Sequence, residues 1–563
     1  MASHDQYSYR GSMEQGNVFQ RFTNSFKRID LEDDGIDTSE MTELEKSIYA
    51  TANHPLARRL KTRHLFWIAF GGVIGSGLFV GSGFSLSQAG PAGFLIGYIV
   101  IGYAMLCVVL SLSEIATQFA VSGSFVSLFS RMIHPSWSFT LGILYSLSWL
   151  ISFPSELIAC SMTIKYWNSS VNPCVWVAVF YVFIFTVNLF GVRGYGDIEM
   201  GISIIKILAV IGFIILGICI ICGVGDQGYI GGQYWHNPGA FNHGFKGVCA
   251  SFISAAFTFG GTELVALAAA ETANPRHSLP KATKQVFWRI TIFYFLTAIV
   301  IGCLVPYTNE QLINGTGITA SPFVIAVSNG GIKVVPHIMN AVVLLAIVSV
   351  ANSSVYGCSR TLASLSAQGL LPWFDYIDKE GRPIVAIMFT NVIGLLGFLA
   401  AYEDEDRVFT WFFSICSLSS FFIWGSICFT HVRFRMALRA QGRGVEEVAF
   451  VSPLGLFGSI SGIIILFLVI CAEIWTSIWP IGESADVVTF WQNCLSLPLM
   501  LVMWFLFNLY KKSFYPFFIP LEEIDLDTGR RDVDVELLKQ EIADEKLELQ
   551  SKPFYYKIYK FFC

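Results

Sequence analysis

Three of the ionisable residues that lie inside apolar stretches long enough to cross a lipid bilayer are candidates for function. They are Glu156, Lys206 and Glu263. An ionisable side chain is costly in hydrocarbon, so such residues face a protein interior or a cavity and often mark binding or proton-transfer sites. We therefore take all three as candidates for proton coupling or gating. The alternatives are a structural hydrogen bond for Glu156 and, for Lys206, an ammonium group that reaches the cytoplasmic membrane surface.

Glycine-rich segments interrupt two of these apolar stretches near their middle. One segment runs from Gly71 to Gly77, and the other is Gly260-Gly261-Thr262-Glu263. Lipid cannot hydrogen-bond an unwound backbone, so such a break persists only where it lines a protein cavity. Two breaks in comparable places predict a binding site formed by the ends of half-helices. The alternative for the first break is close helix packing through glycines four residues apart.

The first break is suited to an anionic group. A half-helix that begins near Ser76 presents unpaired N–H groups and the positive end of its dipole, which favours a carboxylate. Ser76 adds a hydroxyl donor, and Gly77 allows the backbone to approach a ligand closely.

The elements that position these residues are membrane-spanning helices. Of the 563 residues, 54% are hydrophobic and 14% are charged. Such sparse charge predicts an all-α polytopic membrane protein rather than a soluble domain. At roughly 20 residues per span, we predict about twelve transmembrane helices, near residues 65–89, 93–118, 137–166, 174–191, 200–223, 248–271, 287–305, 333–356, 383–401, 408–431, 454–476 and 487–510.

Basic residues in the short loops predict the orientation of these helices. They cluster before the first span and after the second, fourth, sixth and tenth spans, so the positive-inside rule places both termini in the cytoplasm. We expect a cytoplasmic N-terminal tail (1–60), a twelve-helix domain (61–510) and a cytoplasmic regulatory tail (511–563). Because the breaks fall in helices 1 and 6, we predict a 5+5 inverted repeat, about 65–223 and 248–431, followed by helices 11 and 12.

Metal and enzyme chemistry have little support in the sequence. Several of the thirteen cysteines lie in apolar runs and are interpreted as small buried hydrophobic residues: Cys107, Cys219, Cys303 and Cys428. His236 and His243 lack an accompanying carboxylate cluster, so we expect no metal site and no integral membrane enzyme. No Gly-x-x-x-x-Gly-Lys-Ser/Thr loop is present, so we expect no direct use of ATP. We also expect no cofactor and no nucleic-acid partner.

From about Lys61 to its last residue, the chain resembles the fungal amino-acid permeases of the amino acid–polyamine–organocation superfamily, the general amino-acid permeases in particular. The motifs that carry the resemblance are Gly72-Val-Ile-Gly-Ser-Gly-Leu-Phe-Val-Gly81, Ala89-Gly-Pro-Ala-Gly93, Phe190-Gly-Val-Arg-Gly-Tyr-Gly196, Tyr229-Ile-Gly-Gly-Gln-Tyr-Trp-His236, Gly261-Thr-Glu-Leu264, Glu271-Thr-Ala-Asn-Pro-Arg276, Lys284-Gln-Val-Phe-Trp-Arg289, Asp527-Thr-Gly-Arg-Arg531, Leu537-Leu-Lys-Gln-Glu-Ile542 and the terminal Phe-Phe-Cys563.

The resemblance implies roles for residues at the first break and elsewhere. Ser76 and Gly77 would bind the substrate carboxylate, and the carbonyl of Val73 would face the α-amino group. Lys206 would take part in proton coupling. Cys563 corresponds to the palmitoylated end of the family.

At the second break, unwound carbonyl groups would accept hydrogen bonds from the substrate ammonium. The candidates are Phe257, Thr258, Phe259 and Gly260. The resemblance further implies that Phe257 caps the substrate from the outside and that Glu263 takes part in gating or pH response.

Together these observations predict a proton-coupled symporter that imports L-amino acids, of broad or neutral specificity, across the plasma membrane by alternating access. Its partners would be the amino acid, protons, the bilayer, and ubiquitination and trafficking factors at the tails. One proton crossing about 2 pH units and about 100 mV supplies roughly 5 kcal/mol, enough for several-thousand-fold accumulation. The alternative is an amino-acid sensor of the same fold with little net transport; the short N-terminal tail and Lys206 favour transport.

Overall fold

The computed structural model describes residues 23–29, 39, 41–53, 64–65, 67–68, 74–119, 121–167, 170–271, 275–314, 321–401, 405–482, 484–530 and 552–554. Within these ranges the protein is helical, and strand pairing is limited to two isolated β-bridges. The α-helices are α1 Glu43–Ala52, α2 Ser82–Gln118, α3 Phe125–Met132, α4 Pro135–Ile164, α5 Pro173–Leu189, α6 Gly191–Ile221, α7 Gly244–Phe259, α8 Leu264–Ala270, α9 Pro275–Arg289, α10 Thr297–Leu304, α11 Glu310–Asn314, α12 Pro322–Asn329, α13 Val335–Ala367, α14 Ile384–Gly394, α15 Glu405–Ala440, α16 Gly455–Ile478, α17 Val487–Cys494 and α18 Ser496–Lys511.

Eight helical stretches in the described residues are long and apolar enough to cross a membrane: Gly77–Gln118, Pro135–Ile164, Gly194–Ile221, Gly244–Ala269, Leu279–Leu304, Val335–Ala367, Ile384–Ala401 and Gly455–Ile478. Two shorter apolar helices, Pro173–Leu189 and Ser496–Lys511, coincide with the predicted fourth span and with most of the twelfth. The tenth predicted span lies within α15. The protein is therefore a multi-pass helical membrane protein.

The second half of the first predicted span and the whole of the second span form one helical stretch with a bend between them. A π-helical turn, Gly77–Gly81, leads into α2, and Gly90 interrupts α2 with a φ of +71°. A side chain is strained at that angle, so glycine allows the chain to leave the first span and begin the second, where Pro91 fits the first turn.

Two long helix pairs form the centre of the bundle. Helix α2 packs along α7, and α4 packs along α13. The pairs contact closely: a Cβ added at Gly97 of α2 would lie 2.1 Å from the Ser251 hydroxyl oxygen of α7. Small residues permit such contacts. In a bilayer, van der Waals packing of this kind stabilises helix pairs, because the hydrophobic effect does not drive helices together in lipid. The first break lies before α2, the second break follows α7, and α4 and α13 supply neighbouring residues.

Two cysteine interpretations need correction. Cys107 and Cys428 are buried, as expected, but Cys219 near the end of α6 is exposed and Cys303 is half-buried. Helix α6 lies at the rim of the bundle, where one face is turned outward, and an apolar run by itself does not distinguish that face from the core.

A C-terminal segment, residues 519–530, packs on the ends of α3 and α15. The Ile519 amide donates to the Ile133 carbonyl at 3.0 Å, and the Gln441 amide donates to the Ile524 carbonyl at 2.8 Å. Arg530 forms an ion pair with Glu447 at 3.0 Å. The beginning of the C-terminal tail is thus attached to the helical domain.

Candidate functional site

A central cavity lies between the two helix breaks. Its lining includes both breaks together with residues of α4, α13 and α15: Gly75, Ser76, Gly77, Tyr145, Ser148, Trp149, Ser152, Phe257, Gly260, Gly261, Glu263, Leu264, Val350, Ser353 and Ser420. A concave site with mixed polar and aromatic walls is typical of small-molecule binding. Four of the predicted substrate-binding residues and one predicted gating residue therefore share this cavity.

The first break begins a helical segment at Ser76, as the sequence predicts. Ser76 precedes the π-helical turn Gly77–Gly81 and is buried. Gly75 also packs tightly, because a Cβ there would lie 2.2 Å from a methyl carbon of Val350. Gly75 therefore serves helix packing and also lines the cavity, and the two interpretations of the break are compatible.

Gly77 brings the two breaks into direct contact. A Cβ at Gly77 would lie 2.6 Å from the Cα and 2.9 Å from the backbone nitrogen of Thr258. Both of those atoms are backbone and cannot rotate away. The site therefore depends on a residue without a side chain at position 77.

The second break follows the end of α7. Gly260 has an extended conformation (φ −54°, ψ 144°), and Gly261 has a φ of +82°, which favours glycine. The chain then turns into α8, and the Leu264 amide donates to the Gly261 carbonyl at 3.0 Å. The broken helix predicted from Gly260-Gly261 is therefore present.

Thr258 and Phe259 differ from the expectation that they line the site. The Thr258 carbonyl accepts a hydrogen bond from Tyr294 at 3.4 Å, and the Thr258 hydroxyl contacts the Tyr98 hydroxyl at 3.0 Å. The Phe259 carbonyl accepts from the Thr262 hydroxyl at 2.7 Å. Helix α7 remains regular through Phe259, so these groups point into the bundle behind the break. Phe257 and Gly260 are the cavity-lining members of the predicted set.

Glu156 lies behind Ser76. The Ser76 hydroxyl donates to Glu156 Oε1 at 2.6 Å, and the Glu156 carboxyl group is completely buried. Its second oxygen makes no hydrogen bond to the described residues. The charged form of a buried carboxyl group needs hydrogen bonds to replace the water that it loses. One such bond replaces only part of that hydration, so a change in the charge of Glu156 should alter its contact with Ser76. Glu156 is thus placed to affect the residue that begins the first half-helix.

Lys206 of α6 contacts the first break at Ile74, two residues before Ser76. Its ammonium donates to the Ile74 carbonyl at 3.0 Å and to the Ser349 hydroxyl at 2.8 Å. The side chain is completely buried, so the ammonium does not reach a membrane surface. It lies 3.6 Å from Glu199, a residue not identified from the sequence.

Glu263 lines the cavity at the second break. Its Oε2 accepts a hydrogen bond from the Trp424 indole of α15 at 3.2 Å. The neighbouring Thr262 hydroxyl accepts from the fully buried Arg289 guanidinium at 2.6 Å. The Trp424 contact thus holds the Glu263 carboxyl group at the cavity wall.

Aromatic side chains form one wall of the cavity. Tyr145 and Trp149 of α4 have ring centroids 5.8 Å apart in an edge-to-face arrangement, and Phe257 lies at the second break. The Tyr145 hydroxyl interacts with the Trp149 indole and with the Glu263 carboxyl group, so the aromatic wall is joined to the second break. Tyrosine and tryptophan faces also attract cations.

Two predicted functional residues, Val73 and Cys563, lie outside the described residues. Among the residues that the sequence did not indicate, Glu199, Tyr145 and Trp149 matter most. Glu199 precedes the predicted fifth span by one residue, whereas α6 begins at Gly191, so a longer predicted span would have included it. The aromatic wall carried no sequence signal, because aromatic residues are frequent throughout the chain.

Comparisons with known proteins agree with this architecture. The family model described as "Amino acid permease" matches residues 64–520. The chain is 66% identical to the S-adenosylmethionine permease GAP4 of Candida albicans over 557 residues, 99% of this chain and 92% of that protein. It is 48% identical to the S-adenosylmethionine permease SAM3 of Saccharomyces cerevisiae, over 97% of this chain and 95% of that protein. It is also 46% identical to the general amino-acid permease GAP1 of S. cerevisiae, over 97% of this chain and 92% of that protein.

Proposed function

The chain belongs to the amino acid permease family, and from that premise we propose that it is a proton-coupled symporter that imports L-α-amino acids across the plasma membrane by alternating access. Family membership makes it a transporter and not an enzyme. The observation that carries the proposal is the cavity between the two breaks, with Ser76 bonded to Glu156 and Ile74 bonded to Lys206. Groups that can exchange protons thus contact the same break that would bind the substrate.

The substrate carboxylate would bind at the start of the half-helix at Ser76 and Gly77. The amide groups and dipole there favour a negative charge. The α-ammonium would lie towards Phe257 and Gly260, the cavity-lining part of the second break. Alternating access would follow if the helices carrying the breaks rock around this fixed site, within a twelve-helix inverted repeat.

For the side chain, we infer that a sulfonium amino acid of the S-adenosylmethionine type is the preferred substrate among amino acids. Two of the relatives are named as S-adenosylmethionine permeases, including the one that shares 66% identity. The cavity supports this inference, because Tyr145, Trp149 and Glu263 suit a cation that carries apolar substituents. Broad transport of neutral amino acids remains the second candidate, favoured by the similarity to the general amino-acid permease.

Uptake in permease-deficient yeast tests the proposal. Labelled S-adenosylmethionine and a panel of neutral amino acids are supplied with and without a protonophore, to the wild type and to Lys206→Ala. We expect protonophore-sensitive uptake of S-adenosylmethionine by the wild type, and uptake that is lost or uncoupled in the variant. Surface-expressed wild-type protein that binds amino acids but imports none of them would contradict transport and favour the sensor alternative.

A further inference from the structure

The Lys206 ammonium has a neighbouring carboxylate on its own helix. Glu199 and Lys206 are seven residues apart on α6, which places them on one face about two turns apart. The distance from Nζ to Glu199 Oε1 is 3.6 Å, and neither side chain is exposed. An amine and a carboxyl group thus form a fully buried pair within the bundle.

Ser349 of α13 joins the two members of this pair. Its hydroxyl accepts a hydrogen bond from the Lys206 ammonium at 2.8 Å and donates one to Glu199 Oε1 at 2.5 Å. The third polar contact of the ammonium is the Ile74 carbonyl at the first break. Glu199, Ser349 and Ile74 therefore hold the Lys206 ammonium from three directions.

Other charged groups act on this pair from a greater distance. Glu156 on α4 and Arg289 on α9 influence Lys206 electrostatically with opposite signs, and Tyr195 of α6 faces Glu199. Each of these two groups has its own hydrogen-bond partner: Glu156 accepts a hydrogen bond from the Ser76 hydroxyl, and Arg289 donates one to the Thr262 hydroxyl. Within the described part of the chain, Glu199 is the acid that lies nearest the ammonium.

We propose that Glu199 is a positioning residue for proton coupling: as the counter-ion of Lys206, it keeps the ammonium on the Ile74 carbonyl and sets the external pH at which transport operates. The inference rests on the proposed symport function. A neighbouring carboxylate stabilises the charged form of an amine. Loss of the Lys206 proton removes the attraction to Glu199 and weakens the bond to Ile74, so proton release loosens the first break. Removal of Glu199 leaves the ammonium without its compensating charge.

The pH profile of uptake tests this role. In Glu199→Gln, half-maximal uptake should require an external pH lower than in the wild type by about one to three units, the range over which a nearby opposite charge acts. The control is Ile205→Val on the same helix. Its side chain is 44% exposed on the outward face of α6, so its profile should match the wild type.

Surface abundance is measured in parallel, because an unpaired buried charge can destabilise the protein. A Glu199→Gln protein that is present at the surface with the wild-type pH profile overturns the inference. If that variant does not reach the membrane, Glu199→Asp keeps the charge but withdraws it from the ammonium, and it should shift the profile in the same direction by a smaller amount. A wild-type profile in Glu199→Asp overturns the inference. Absence of protonophore-sensitive uptake in the wild type contradicts the proposed function itself.

Discussion

Gly77 is the residue at which the two halves of the site touch. Its neighbours across the contact are backbone atoms of Thr258 and Phe257, within 3.1 Å of a Cβ built on Gly77. Since the backbone of a helix end cannot move aside as a side chain can, a methyl group here must separate the two breaks.

Gly77→Ala is therefore expected to reduce uptake by about 5- to 150-fold, since overpacking of this kind costs about 1–3 kcal/mol. Initial uptake rates, normalised to surface abundance, measure the effect. Gly212→Ala is the control, because a Cβ at Gly212 meets nothing within 4 Å. Equal loss in both variants would mean that any glycine substitution harms the protein, and the contact would have no special role.

The aromatic wall gives a second prediction at this scale. Replacing Trp149 with Leu removes a ring face that attracts cations, a contribution of about 0.5–2 kcal/mol. We expect the KM for S-adenosylmethionine to rise by about 2- to 30-fold, and the KM for a neutral amino acid to change less. Concentration-dependent uptake of the two substrates provides the comparison.

Trp373→Leu serves as the control for that experiment, because Trp373 lies outside the cavity and is 73% exposed. An identical change in KM for the cationic and the neutral substrate would show that Trp149 shapes the cavity but does not distinguish a cationic substrate from a neutral one.

Among the structural elements, the positions of the two helix breaks could be predicted from the sequence. Which residues beside each break face the cavity could not. Glycines within an apolar run indicate where a helix unwinds, and the breaks lie where Ser76 and Gly260 predict them. Which carbonyl groups face the cavity depends on how far α7 continues before it unwinds. The helix extends through Phe259, so Thr258 and Phe259 face the bundle core.

Buried partners of charged residues were equally inaccessible to sequence reasoning. The bond between Ser76 and Glu156 joins residues 80 positions apart, and that between Lys206 and Ser349 joins residues 143 positions apart. Hydropathy locates a polar residue in a span, but the neighbour that compensates it is chosen by packing between helices.

The C-terminal segment provides a prediction at the scale of elements. The hydrogen bond from Arg443 lowers the pKa of Glu447 below its usual value of 4.5, and the bond from Arg530 of the segment acts in the same direction. A depressed carboxyl pKa contributes stability above the unfolded value, and that stability is lost as the pH falls through the folded value. Attachment of residues 519–530 should therefore be complete near pH 7 and weaken below about pH 4.5.

Hydrogen–deuterium exchange of peptides covering 519–530, corrected for intrinsic exchange rates, measures this attachment. Because these ion pairs are partly exposed, Glu447→Gln should lower protection at pH 7 by less than about fivefold. Glu446→Gln is the matched control, since Glu446 makes no ion pair with the described residues. Protection that is unchanged by acid and by Glu447→Gln would assign the attachment to apolar packing around Ile524 and Leu526.

At the scale of the whole molecule, substrate binding should stabilise the fold, because the cavity joins helices that are far apart in sequence. A ligand at 100 times its Kd stabilises the native state by about 2.7 kcal/mol. We expect S-adenosylmethionine to raise the Tm of the purified protein in detergent, and Gly77→Ala to abolish the increase. A Tm that is equally insensitive to S-adenosylmethionine and to neutral amino acids would contradict binding in this cavity.

The contact between Gly77 and Thr258 also bears on how such a protein can change during evolution. In the proposed binding mode, backbone groups at the two breaks would face the part that all α-amino acids share, and the contact between Gly77 and Thr258 leaves no room for a side chain. The opposite wall, formed by Tyr145, Trp149, Ser353 and Ser420, consists of side chains that single substitutions can replace. New substrates can therefore be acquired by mutation of that wall, while the recognition of the amino-acid backbone is inherited unchanged.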